Sequence, residues 1–591
     1  MYTDYILLDQ YFGKAGIPVS YFPLVGYKLT VNSGSFALTG ETVTLSAGRK
    51  LSIEPGIFSL SGSDVTLKTT RKLSLGSGTF TLTGTDITLK TGRKLTVNAG
   101  IFYLTGADAA LNVGYKLNAA SGIYELTGTD IELKITRKLS VGSGSYSLTG
   151  TDIAFERTYI LKTENGSFIL TGADAALNVG YKLNAESGTY ELTGIDIELK
   201  AARKLSVGSG SYSLTGTDVN LKRTYALVAD SGSFSLTGMP VNFERAYVLL
   251  AGSGSFNLTG YNVKLIRSTH VFKLESGSFS LTGTPVNFKR TYILPASSGT
   301  FTLTGTSAKL TKGYELLAEA GNFTLIGTDI TLKVARKLDL GSGAYSLLGT
   351  DITVNLARKL SSDSGTFSLT GTDITLNVGY KLSLDSGTHT ITGTDIAFGR
   401  TYILTSESGI FNLTGMDLTL RAGYKLSPDS GTFSLIGIDA ALKANRKLVL
   451  ESGVYSLTGV DITLYLARKL SLDSGIFTLT GTDAELRADR KLSVGTGIFY
   501  LIGEPVDLER NYKLIAKEGI YSLTGTPVTL GRNYVLSLEP GIYILNGTDI
   551  GLYWWMWNAC RGYIIPAEDR NVIIPYEDRV FAIPACDNGG R

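Results

Sequence analysis

A glycine closes the phrase GTFTLTG at Gly84, and a glycine in the same setting returns every 22 residues from Gly40 to Gly547, with a single 23-residue step between Gly260 and Gly283. This gives 24 copies of one unit. A period in this range is the mark of a solenoid or an array, and it overrides the expectation that 591 residues form several independent globules. Each copy carries a second glycine six residues before the first, and between them the order is Gly, any, aromatic, any, Leu, any, Gly, with His389 and Ile391 the departures.

The apolar positions fix the local structure. Counted from the closing glycine they fall at −4, −2, +3, +5, +11 and +13; in the copy closed by Gly62 these are Phe58, Leu60, Val65, Leu67, Leu73 and Leu75. They form three pairs, each with the two-residue spacing that puts side chains on one face of a strand. The chain's 70 glycines and the alternation with Thr and Ser argue against helix. The pattern predicts an all-β fold, a β-solenoid of roughly triangular section with about 24 rungs, each coil giving three short strands that pair in parallel with the coils on either side. At about 4.8 Å per coil such a rod would be on the order of 115 Å long. The alternative arrangement is an intertwined trimeric β-fibre. The predicted organisation is a cap or connector over residues 1–24, the solenoid over 25–553 and a distinct C-terminal segment over 554–591.

Two further columns bear on function. Two residues after the closing glycine stands Asp in 17 copies, beginning at Asp64, Asp86 and Asp108. A row of carboxylates invites a metal or acid–base reading, but Pro240, Pro285, Pro505 and Pro527 fill the same slot. Proline can replace an aspartate that makes a turn and cannot replace a ligand or a general acid, so the column is read as turn chemistry. Nine residues after the glycine, 22 copies have Arg or Tyr: Arg49, Arg71, Arg93, Tyr115, Arg137, Tyr159 and onward. Their shared property is a flat polarizable group, which leads to an expected stack of guanidinium planes and rings; independent surface residues are the competing reading. Alternation from the +5 leucine would point this column inward, so a bend absent from the sequence pattern has to turn it out.

Catalytic constellations are hard to assemble. The two histidines are His389, in the aromatic slot and read as a core substitute, and His270, at the one-residue insertion. Neither has a nucleophile or metal-ligand spacing beside it. A glycan-cleaving rod would need paired acids from outlying positions such as Glu186, Glu191 or Glu198. No phosphate-cradling loop and no Gly-Gly-x-Gly-x-Asp calcium repeat occurs. The reading is therefore non-enzymatic, with no cofactor. Balanced charge, 55 Lys plus Arg against 52 Asp plus Glu, gives no net field for nucleic acid. No basic leader with an apolar run and no stretch long enough for a membrane span is present, so neither export nor a span is expected. Cys560 and Cys586 are the only cysteines, and they allow either one disulfide or two free thiols.

The C-terminal segment breaks the repeat. Trp554, Trp555 and Trp557 lie within four positions, which suits either a cap over the last coil or a docking surface. A second period of nine follows, in IIPAEDR, IIPYEDR and AIPACDN, with Pro566, Pro575 and Pro584, and reads as an extended arm laid on a neighbouring surface.

The phrase GSFxLTGxDxxLxxxRxLxxxSG, cleanest between Gly78 and Gly100, resembles repeats of uncharacterised phage and prophage structural proteins, and IPAEDRNVIIPYEDR is similar to short tails on such proteins. The resemblance implies a virion fibre, tail appendage or decoration protein, assembled in the host cytoplasm and carried on the virion. Its implied partners are other virion proteins and further copies of itself, a trimer included, with a host surface glycan or receptor at one end. The alternatives are an extracellular glycan-binding adhesin or depolymerase, with the Arg/Tyr column as a platform for sugar rings, and a self-assembling extracellular filament.

Overall fold

The computed structural model describes residues 22–552, apart from short breaks such as 25–27, 267–270 and 539–541, together with 563–565 and 571–573. All regular structure among these residues is strand. The chain divides into two compact units, Met1–Tyr292 with Gly299–Gly305, and Ile293–Ser298 with Thr306–Arg591. Each is a β-solenoid of 22-residue coils.

One coil of the first unit shows the plan. Thr79–Thr83 forms an aromatic side, Asp86–Thr91 an aspartate side and Lys94–Val97 a lysine side. Each strand pairs in parallel with its equivalent 22 residues before and after, so that Phe80 lies between Phe58 and Phe102, and Ile87 between Val65 and Ala109. One chain supplies all of these neighbours, which sets aside the intertwined trimer as the way the strands pair. The predicted inward residues Phe80, Leu82, Ile87, Leu89, Leu95 and Val97 are all buried. Each such burial contributes roughly 1.5–3 kcal/mol.

The aromatic column makes the centre of the core. In the first unit thirteen rings, Phe36 through Phe301, stack face to face with centroids 4.3–5.2 Å apart and planes within 10°. The spacing follows the coil pitch of about 4.8 Å, so backbone pairing and ring stacking reinforce each other. The second unit repeats the arrangement from Phe323 to Tyr521, and His389 occupies one place in it, 5.3 Å from Phe367 and 6.4 Å from Phe411.

Three features go beyond the sequence pattern. First, a seventh inward column lies at +7, where Thr69, Thr91, Val113 and Ile135 are buried. Second, the chain then bends at Gly92–Arg93, which turns the +9 residue outward. In the strand Asp152–Thr163 there is no break, and the same adjustment is a register shift between Phe155 and Ile160 against its neighbour. Third, in many coils the serine that precedes the glycine six residues before the closing one pins the coil to the previous one: Ser121 donates to the Asn98 carbonyl at 3.1 Å, Ser342 to that of Glu319 at 3.0 Å and Ser474 to that of Glu451 at 2.9 Å.

The ends of the described chain carry short additions. Phe22–Leu24 pairs in parallel with Leu45–Ala47, so the ladder begins before residue 25. In the second unit Tyr563–Ile565 and Asn571–Ile573 run antiparallel to Ile550–Leu552 and to Ile544–Asn546.

The hydroxyl of Thr91 is buried with no partner, while Val113 and Ile135 fill the same column in the next two coils. Thr91→Val is expected to raise stability by about 1 kcal/mol, by removing an unsatisfied polar group at constant shape. Urea unfolding of the two proteins measures the difference, and an equal or lower midpoint for the variant would contradict it.

Candidate functional site

The two outward columns singled out in the sequence occupy opposite ends of the aspartate side. Asp64, Asp86, Asp108 and their successors begin that strand, in register and exposed. Their backbone amides hold the corner: the Asp86 amide donates to the Ser63 carbonyl at 2.9 Å and the Asp108 amide to that of Thr85 at 2.9 Å. Their carboxylates make no ion pair among the described residues. Beside them, in the first unit, runs an open groove of about 820 Å³ from Asp86 to Lys222. It exists because the outward residue two places on is small in several coils, as at Ala110, Ala154 and Ala176.

At the other end stands the Arg/Tyr column. Tyr115 and Arg137 come together, with the guanidinium carbon 4.9 Å from the ring centroid and Nη1 donating to the Tyr115 hydroxyl at 3.2 Å. Tyr159 and Tyr181 stack at 5.0 Å with planes 5° apart, and Arg203 lies over Tyr181 at 5.3 Å. Arg49, Arg71 and Arg93 are exposed at the same corner of earlier coils. Each such cation–ring contact contributes about 0.5–1 kcal/mol at an exposed position.

The outlying acids do not converge. Glu186 receives hydrogen bonds from Asn184 at 3.2 Å and an ion pair from Lys162 at 3.1 Å, at the corner after the lysine side. Glu191 is on the aromatic side, and Glu198 on the aspartate side between Lys200 and Lys222. Burial pulls the Glu198 carboxyl upward, but the hydrogen bonds and charges of Lys222 and Lys200 outweigh it and hold the pKa below the ordinary range. Five and seven residues are enough to carry the chain round a corner, so the three acids face different directions and form no acid pair. Among the described residues no group of three or more metal-ligating side chains gathers.

His389 is buried with both ring nitrogens unpartnered, and burial lowers its pKa to about 3. It is a neutral core ring at ordinary pH. Trp554, Trp555, Trp557, Pro566, Pro575, Pro584, Cys560, Cys586 and His270 lie outside the described residues.

Comparison with protein-family models, with curated proteins and with solved structures finds no match for this chain.

Proposed function

We propose that the chain is a non-enzymatic structural component of a phage particle, a fibre or spacer subunit that assembles with other virion proteins and with copies of itself and supports attachment to a host surface. The observation that carries this reading is the in-register ring stack inside each unit. Among the described residues the coils repeat one core pattern with recurring corner bonds, so each adds a similar rise. Stiffness follows from the same source, because each coil is fixed to its neighbours by three ladders and a buried ring. The assignment to a virion rests on the resemblance of the repeat phrase to those of phage structural proteins, which implies particles assembled in the host cytoplasm.

The test is localisation on native material. Antibody raised against a repeat segment is expected to decorate appendages of purified particles in electron micrographs. Labelling of free filaments or of the cell envelope, with bare particles, would overturn the reading. Incubation with host surface polysaccharide is expected to leave its chain length unchanged, and shortened products would restore the depolymerase alternative.

A further inference from the structure

In the first unit the corner joining the aspartate side to the lysine side is open and basic. A trough of about 510 Å³ runs along it, with Lys68, Lys90 and Lys134 on its margin and Thr70, Gly92 and Gly114 in its floor. The floor is low because the chain has turned Thr91 inward immediately before it, and because Gly92 has no side chain; a methyl there would overlap the Thr70 carbonyl oxygen. The residues that follow the floor, Arg71, Arg93, Tyr115 and Arg137, are exposed, and Lys72, Lys94, Lys116 and Lys138 come next. Cations thus recur in straight rows with one step of about 4.8 Å per coil.

These rows have no acid at the next corner round the coil, where several other coils carry one. Lys68, Arg71, Lys72, Lys90, Arg93 and Lys94 make no ion pair among the described residues, whereas Lys134 pairs with Glu132 and Glu156. At the corner after the lysine side these coils have Gly76, Asn98, Ala120 and Gly142. The following coils have Glu164 and Glu186 there, and both pair with Lys162, which stands two places beyond the row of Lys116 and Lys138. In the second unit the same position holds Asp363, Asp385, Glu407 and Asp429. Like charges at this spacing lie well inside a Debye length of about 8 Å, so the rows keep a strong local field until a counter-charge with a similar repeat neutralises them.

We propose that this trough binds a linear anionic polysaccharide, the sugar chain lying along the glycine floor and its carboxylate or sulfate groups taken by the lysine and arginine rows. A guanidinium grips such groups through two parallel hydrogen bonds, and lysine serves as a mobile point charge beside it. The pitch of the coil is close to the length of one sugar unit, so contacts recur without loss of register. Single-stranded nucleic acid fits less well, because bases need open aromatic faces to stack on. The ring at this corner, Tyr115, is covered by Arg137 and has its hydroxyl engaged. The inference stands or falls separately from the structural role proposed above.

The experiment uses the full chain and three probes: polygalacturonate, its methyl-esterified uncharged counterpart and oligothymidylate. Polygalacturonate is expected to bind, and to lose about tenfold or more in affinity between roughly 50 and 200 mM salt. Lys68→Gln/Arg71→Gln/Lys90→Gln/Arg93→Gln, all at exposed positions, is expected to weaken binding by a further factor of about ten or more while the circular dichroism spectrum is unchanged. Lys359→Gln/Lys381→Gln/Lys447→Gln/Lys469→Gln, in coils whose corners carry acids, is expected to retain the original affinity. Equal binding of the ester, equal loss in the two variants, no loss in the first variant or tighter binding of oligothymidylate would each overturn the proposal.

Discussion

Gly166→Ala is expected to cost about 3 kcal/mol and to open the ladder locally, an effect out of proportion to one methyl group. The added carbon would overlap the Gly144 carbonyl oxygen, lie 2.6 Å from the Gly142 carbonyl oxygen and 3.0 Å from Val141 Cγ1. The Gly144 oxygen is already the acceptor of an inter-coil bond from the Ser167 amide at 3.1 Å, so backbone has to move and a pairing bond is lost with it. Conformational freedom is not the reason for glycine here, since no described glycine has a positive φ. The matched control is Ser143→Ala, one residue from the equivalent glycine of the previous coil, exposed and without the inter-coil hydroxyl bond that Ser121 makes, which is expected to change stability by less than about 0.5 kcal/mol. Hydrogen exchange read coil by coil is the suitable measurement, because repeat stacks lose structure locally. Unchanged protection from Tyr146 to Tyr190 in the alanine variant would refute the close-approach argument.

The second large effect concerns His389 and acid. Its folded pKa of about 3 lies below the 6.5 of an exposed imidazole, so as pH falls the unfolded chain takes up this proton first. The contribution is therefore intact above about pH 6.5 and is lost toward pH 3, at about 1.4 kcal/mol per pH unit through that window. His389→Phe restores the ring found in the coils on either side, Phe367 and Phe411, and removes two unpartnered nitrogens. The variant is expected to be more stable than the parent by about 1–3 kcal/mol at neutral pH. That gap should widen steadily between about pH 6 and pH 4. Urea midpoints for both proteins across this range give the comparison, and a gap independent of pH would show that the imidazole is not kept neutral by burial.

Much of the fold was legible because the two-residue spacing of Phe80 with Leu82, Ile87 with Leu89 and Leu95 with Val97 carries burial directly. The +7 column is hidden in the sequence because Thr69 and Thr91 share it with Val113 and Ile135, and a threonine does not announce burial. Missing that column also hid the bend after it, which is why the outward setting of Arg93 and Tyr115 could not be derived from alternation. A glycine in a repeat can serve unusual backbone angles or close approach of neighbouring coils, which sequence does not separate; the contact between Gly166 and the Gly144 carbonyl selects the second. The flat-group idea for the Arg/Tyr column had a geometric counterpart in Tyr115 with Arg137 and in Tyr159, Tyr181 and Arg203. The basic trough was not legible, since it depends on the inward turn of Thr91, on the bare Gly92 floor and on which cations line up from coil to coil, a relation that appears once the chain is wound.

The short antiparallel strands at Tyr563–Ile565 and Asn571–Ile573 have a consequence for growth. A parallel ladder offers evenly spaced donors and acceptors that any identical coil could extend indefinitely, whereas a reversed strand presents them in alternating narrow and wide pairs. On the aromatic and aspartate sides of the last described coils, a second copy arriving head-on would therefore meet reversed strands in place of the parallel edge that every earlier coil offers its successor.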